Sequence, residues 1–140
     1  DVVARDNAHI AVREFDGEHL PYGSSSFDAA TIIDVLHHTA DPMILLREVV
    51  RVTRQTIVIK DHTLEGWLAG PTLRLMDYIG NARHGVGLTY NYWPRQRWDE
   101  AFDTLLLRTE AWRGDLGLYP RPASWIFGRS LHFIARLDRQ

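Results

Sequence analysis

The sequence predicts an α/β fold, with a mostly parallel sheet closed by a C-terminal antiparallel hairpin, and three stretches carry that reading. Phe27 to Leu36 contains a β-branched run, Thr31-Ile32-Ile33, of the kind buried on both faces of a parallel sheet. Asp41 to Arg54 has helical periodicity and leads by a short link into a second apolar strand, Thr56 to Lys60. Strand, helix, strand in that order is a βαβ unit, which closes parallel and right-handed. At the far end, Leu131, Phe133, Ala135 and Leu137 alternate behind a strand predicted at Leu106 to Trp112, the pattern of a long hairpin.

The elements follow in order along the chain. Ile10, Val12 and Phe15 alternate with charged neighbours, so His9 to Phe15 is predicted as a strand, ended by the turn pair Asp16-Gly17. A polar link, Gly23 to Ser26, precedes Phe27 to Leu36, and helices are expected on both sides of that strand. Asp41-Pro42 starts a helix, because an Asp side chain accepts from orphan amides while a first-turn proline lacks only a donor that goes unused. Leu45, Leu46, Val49, Val50 and Thr53 form its apolar stripe; Arg47, Glu48, Arg51 and Arg54 take the other side. Leu64 to Ala69 and Pro71 to Ile79 are two candidate helical stretches, followed by a loop rich in Gly, Asn and aromatics up to Pro94. Trp98, Ala101, Phe102 and Leu105 mark another helix by their spacing, and Gly114 to Pro122 is a loop. The chain divides into residues 1–62 with the first strands and helix, a cover at 63–98, and a closing helix and hairpin at 99–140.

Composition narrows the function. With 140 residues, 45% of them hydrophobic, the chain can build one ordinary core and not two. Its 16 basic and 18 acidic side chains are mixed along the sequence, so no cationic stripe points to nucleic acid or anionic lipid. The absence of cysteine excludes disulfides, thiolate metal sites and a thiol nucleophile. No apolar run approaches the roughly 18 residues that span a bilayer, and no signal-peptide layout is present, so a soluble cytoplasmic protein acting on a small molecule is expected. Asp1, Val2 and Val3 read as the end of a strand already under way, which predicts truncation.

In open α/β sheets ligands bind beyond the carboxyl ends of the strands. Three places meet that description: Asp16-Gly17, Asp34 to His38, and Asp61-His62. Phe15-Asp16-Gly17, Leu20-Pro21-Tyr22, Ser26-Phe27-Asp28, Asp34-Val35-Leu36-His37-His38, Asp41-Pro42 and Glu48-Val49-Val50-Arg51-Val52 together resemble the class I S-adenosylmethionine (SAM)-dependent methyltransferases. The resemblance is carried by order and spacing over about a third of the chain. It implies a Rossmann-like methyltransferase fold, here incomplete, with the first strand and the Gly-rich cofactor loop lying upstream of Asp1. It implies SAM as cofactor and a small-molecule acceptor.

The same resemblance assigns residues. Asp16 accepts from the adenine amino group, as an ionised carboxylate suits an exocyclic amine; taken alone, Asp16-Gly17 is equally a common turn pair. Gly17 accompanies it, Leu20 and Tyr22 flank the nucleoside, Asp34 lies at the next strand end, and Asp1 stands where an acidic residue holds the ribose hydroxyls. His37, His38 and His62 are the candidate general bases, since methyl transfer to a hydroxyl or acidic carbon releases a proton near neutral pH. Each also reads as a packing or capping residue. Tyr90, Tyr92 and Trp93, in the loop after Gly85 and Gly87, are candidates for contact with the acceptor, whereas Trp98 on its helical stripe is structural. No metal is expected. The alternative is a catechol-type site in which Asp34, Asp61 and His62, with His38, ligate a divalent ion.

In that family, two further strands separate the strand at His9 to Phe15 from the one at Phe27 to Leu36. The linker Gly17 to Ser26 reaches about 33 Å extended, enough to cross a gap of roughly 14 Å. Such a gap leaves strand edges unpaired, so the segment alone is expected to unfold, aggregate or rearrange. The rival to an enzyme is a degenerate domain that serves only as a binding or assembly surface. Replacing Asp16 by Ala in the full-length protein is expected to weaken SAM binding roughly 10- to 100-fold by calorimetry, the size of a lost charged hydrogen bond; unchanged affinity removes Asp16 from the site.

Overall fold

The computed structural model describes residues 12–81 and 89–140. In chain order it contains β1 (Phe27–Ile33), a 3-10 turn (Leu36–His38), α1 (Pro42–Val52), β2 (Thr53–His62), α2 (Ala69–Asn81), α3 (Arg95–Thr104), β3 (Leu107–Arg113), a one-turn α4 (Ser124–Phe127) and β4 (His132–Arg139). The strands form one sheet in the order β1-β2-β4-β3. The strand predicted at His9 to Phe15 falls partly outside the described residues, and residues 12–15 are irregular.

α1 begins as its sequence requires: Asp41 Oδ1 accepts the Met43 N–H at 2.9 Å and Pro42 occupies the first turn. It ends two residues earlier than the periodicity suggests. Thr53, fully buried, already pairs with Phe27 as the first residue of a ten-residue β2. The buried stripe is therefore Leu45, Leu46, Val49 and Val52, with Val50 only partly covered.

Two expectations about the sheet are corrected. It is not mostly parallel: β1 and β2 run parallel, with Ala30 beside Ile57 and Ile32 beside Ile59, whereas β2–β4 and β4–β3 are antiparallel. The second strand of the hairpin docks on β2 because Phe133, Ala135 and Leu137 bury one whole face, while β3 buries only Leu107 and carries the charges suited to an edge. Nor is β1 buried on both faces, since Ile32 is 6% exposed and Ile33 61%. One face is covered by α1 and α3, whose Leu45, Leu46, Val49, Trp98 and Phe102 join Ile57, Ile59, Phe133 and Leu137 in a single core. Among the described residues, β1 has a partner strand on one side only.

The cover also differs from its prediction. Residues 64–68 form a turn in which Gly66 takes φ +84°, and one helix, α2, starts at Ala69 and runs through Pro71. Pro71 lies in the first helical turn, where its missing N–H breaks no bond. Leu73 packs with Ala69 and Leu131 in a small second core.

The segment before β1 is strapped to α1. Glu48 Oε2 accepts the Leu20 N–H at 2.9 Å, and Arg51, paired with Glu48 at 2.7 Å, donates to the carbonyls of Tyr22 (2.8 Å) and Leu20 (3.1 Å). Asp41→Ala is expected to cost about 1 kcal/mol of stability in urea unfolding through loss of the cap, with no change in SAM affinity.

Candidate functional site

Two features neighbour one another: an apolar cavity that runs along β1 and past its carboxyl end, and a buried cluster of imidazoles and carboxylates at the carboxyl ends of β1 and β2. The cavity, about 640 Å³, is lined by Phe15, Gly17, Leu20, Val35, His38 and Thr89 among others. It joins residues from the N-terminal strap, the 3-10 turn and the loop before α3. Gly17 and Leu20 from the N-terminal strap and His38 from the 3-10 turn thus converge on one space. Asp16 adjoins it without lining it. Its Oδ1 accepts from the N–H groups of His19 (2.6 Å) and Glu18 (2.8 Å), and these bonds hold its carboxyl down at about 2, leaving an exposed, fully ionised acceptor. Gly17 follows at φ +89°, a conformation that favours glycine.

The cluster is organised by Asp61, which is fully buried at the end of β2. Its Oδ2 accepts the Leu36 N–H at 2.9 Å; its Oδ1 accepts the His62 N–H at 2.7 Å and faces His37 Nδ1 at 2.5 Å. His37 Nε2 lies 3.6 Å from Asp77 Oδ1, and Asp77 in turn accepts from the Tyr92 hydroxyl. His37 is thus held between two carboxylates. Burial opposes its charge, but Asp61 and Asp77 outweigh that and raise it to about 9. The same donors keep Asp61 and Asp77 below the usual carboxylate range against the opposing effect of burial.

His38 is the contrasting neighbour, its ring centroid 4.0 Å from that of His37. Burial and then the His37 charge push it down, and its Nδ1 is buried without a hydrogen-bond partner among the described residues. His62 Nδ1 lies 3.3 Å from His37 Nδ1, and its ring stands 4.5 Å from that of His132. Asp34, at φ +51° just past β1, binds Lys60 Nζ through both oxygens at 2.5 and 2.6 Å.

The aromatic loop is split by its packing. Thr89 Oγ1 donates to the His37 carbonyl at 2.6 Å and Asn91 N–H to the same oxygen at 3.2 Å, which stitches the loop to the 3-10 turn. Tyr92 thereby stacks over His37 at 5.7 Å, and Tyr90 lies 6.4 Å from Tyr92 with the Arg74 guanidinium 5.7 Å from its ring. Trp93, expected over the acceptor, is instead a core residue, 1% exposed and 4.9 Å from Trp98. The stitching turns its indole under α3, beside Trp98, whose structural reading agrees with its burial. Asp1, Gly85 and Gly87 lie outside the described residues.

Sequence reasoning did not place Asp77, Lys60 or His132 in the site. Asp77 had a signal: it is the single acidic residue of α2 and stands four positions after the buried Leu73. His132 had less, being the polar first residue of an alternating strand.

The opposed imidazoles set a pH profile. His37 holds a proton in the fold that the unfolded chain loses near 6.5, so its contribution is full below that pH and is lost as pH rises through about 9. His132 is pushed down to about 4 by burial, then by His62 and Lys60, so its contribution is lost as pH falls from about 6.5 toward 4. Stability measured by urea unfolding is expected to peak near pH 6.5 and decline on both sides. Asp77→Asn should move the alkaline decline to lower pH, and an alkaline limb unaltered by this change would remove Asp77 from the His37 pair.

Residues 2–58 match the model of a family described as methyltransferase domain. No curated protein matches. Among solved structures, a SAM-dependent methyltransferase from Mesorhizobium loti superposes with a TM-score of 0.69 at 16% identity, over 96% of this chain and 72% of that one. One from Thermotoga maritima, described as a possible histamine N-methyltransferase, gives 0.64 at 18% identity over 94% and 65%. A putative methyltransferase from Bacillus halodurans gives 0.61 at 12% identity over 90% and 70%. The chain therefore spans between 65% and 72% of these three structures. Matched in sequence over residues 2–58 and in fold over nearly its whole described length, the chain carries the class I SAM-dependent methyltransferase fold.

Proposed function

We propose that the protein transfers a methyl group from SAM to a small-molecule acceptor, with His38 as the proton acceptor. The observation that carries this reading is the meeting of Gly17, Leu20 and His38 on one apolar cavity that runs along β1 and past its carboxyl end. The residues present fit the cofactor. The cavity lies within the range of small-molecule sites, roughly 300 to 1,000 Å³. An ionised acceptor, Asp16, stands at its margin for the adenine amine, and Leu20 and Tyr22 supply apolar surface for the nucleoside.

When bound, SAM supplies a methyl group on a sulfonium, which leaves by in-line displacement. The residues of this chain bind, aim and keep water out. An acceptor hydroxyl or acidic carbon must lose a proton, and the three candidate histidines are not equivalent. His37 already carries its proton between two carboxylates, so it is withdrawn as a base. Its charge helps keep His38 neutral and free to accept. Environments that drive adjacent titratable groups apart are the usual signature of an acid–base assignment. Tyr92, stacked on the His37 ring, and Tyr90 beside it are the aromatic residues nearest this pair of histidines and suit an aromatic acceptor.

The full-length protein is expected to bind SAM in calorimetry and to form S-adenosylhomocysteine with a panel of phenols. His38→Gln should lower that turnover by about 10² to 10⁴ while leaving SAM affinity unchanged. Failure of the wild type to bind SAM overturns the reading; unaltered turnover in the variant overturns the role of His38.

A further inference from the structure

Asp34, His62 and His132 project ligand atoms that all lie within 4.8 Å of one another, and we propose that they form a binding site for a first-row divalent cation of the zinc or cobalt(II) type. The inference is independent of the methyl-transfer reading. Backbone register builds the site: His62 and His132 are directly paired residues of β2 and β4, so their side chains leave the same face of the sheet. Asp34 joins them from the position just past β1, its N–H bonded to the Lys60 carbonyl at 2.8 Å. Three adjacent strands thus deliver two imidazoles and one carboxylate, a set that suits borderline divalent ions.

Two other groupings of nearby ligands exist, His37 with Asp61 and His62, and His37 with His38 and Asp77. Both require His37, whose Nδ1 is already engaged by Asp61 Oδ1 at 2.5 Å and whose Nε2 faces Asp77 Oδ1 at 3.6 Å. Asp61 is further committed to three donors. The catechol-type set weighed from the sequence therefore loses Asp61 and gains His132.

Of these three residues, His132 is the one with a buried polar atom left unmet among the described residues. It is 6% exposed, its Nδ1 is buried without a partner among the described residues, and its Nε2 lies 3.4 Å from the Tyr119 hydroxyl. The Tyr119 hydroxyl on Nε2 leaves Nδ1 to coordinate. Lys60 is the competing cation. It holds both oxygens of Asp34, and coordination through one leaves it the other. Tetrahedral coordination needs ligand atoms roughly 3.3 Å apart, within reach of small side-chain rotations.

The test uses the full-length protein stripped with a chelator and dialysed against micromolar Zn²⁺ or Co²⁺. One equivalent per chain is expected by elemental analysis, with visible ligand-field bands for Co²⁺. His132→Gln should weaken binding by at least tenfold, whereas His19→Gln, at an exposed histidine, should leave it unchanged. To separate ligation from misfolding, Zn²⁺ added to wild-type protein with ¹⁵N-labelled histidines should shift the ring signals of His62 and His132 but not of His19. Absence of binding, retention in His132→Gln, or ring shifts confined to other histidines overturns the site.

Discussion

A carboxylate removed from water stays ionised only if donors replace the solvent, and the arrangement of this site follows from how Asp61 meets that requirement. Its donors are the Leu36 and His62 amides and the His37 ring. Leu36 and His37 belong to the turn after β1, His62 to the end of β2. One side chain therefore locks the two parallel strands together at their carboxyl ends. Breaking such an arrangement by removing one partner leaves a buried charge uncompensated, a far larger penalty than the net value of the intact contact. The second carboxylate, Asp77, extends the lock to α2 and, through Tyr92, to the loop before α3.

That lock also divides labour among the histidines. His37 is fixed as a cation and acts on its surroundings by charge. His38, one residue on, is left neutral beside the cavity. His62 and His132 sit across a strand pair from one another, close to a carboxylate that does not belong to the lock. The carboxylates beside His37 raise it, whereas burial pushes His38 and His132 down. The Glu48–Arg51 pair performs the corresponding task for the apolar side of the site, holding the Leu20 and Tyr22 backbone against α1 so that Leu20 and Gly17 face the cavity.

Local signals were legible wherever a single element decided the outcome. Asp41-Pro42 started α1, the βαβ order fixed β1 and β2 as a parallel pair, and the alternation of Phe133, Ala135 and Leu137 identified a strand with one buried face. The errors arose where neighbours decided. Ile32 and Ile33 are alike in sequence, yet one is buried and the other exposed, because only one face of β1 receives helices. The sheet is less parallel than expected because β4, not β3, had the apolar face needed beside β2. Trp93 looked like a loop aromatic and is core, because Thr89 and Asn91 tie that loop to the turn after β1.

The sequence by itself determined the class of fold, the strand ends at which polar residues gather, and the identity of most of those residues, because periodicity, caps and turn chemistry act over a few positions. It could not say which histidine keeps a proton, that Asp77 reaches the site from α2, or that His132 lies opposite His62. Those are consequences of register and burial between segments dozens of residues apart, and a side chain's charge depends on neighbours that only the folded chain brings within a few ångströms.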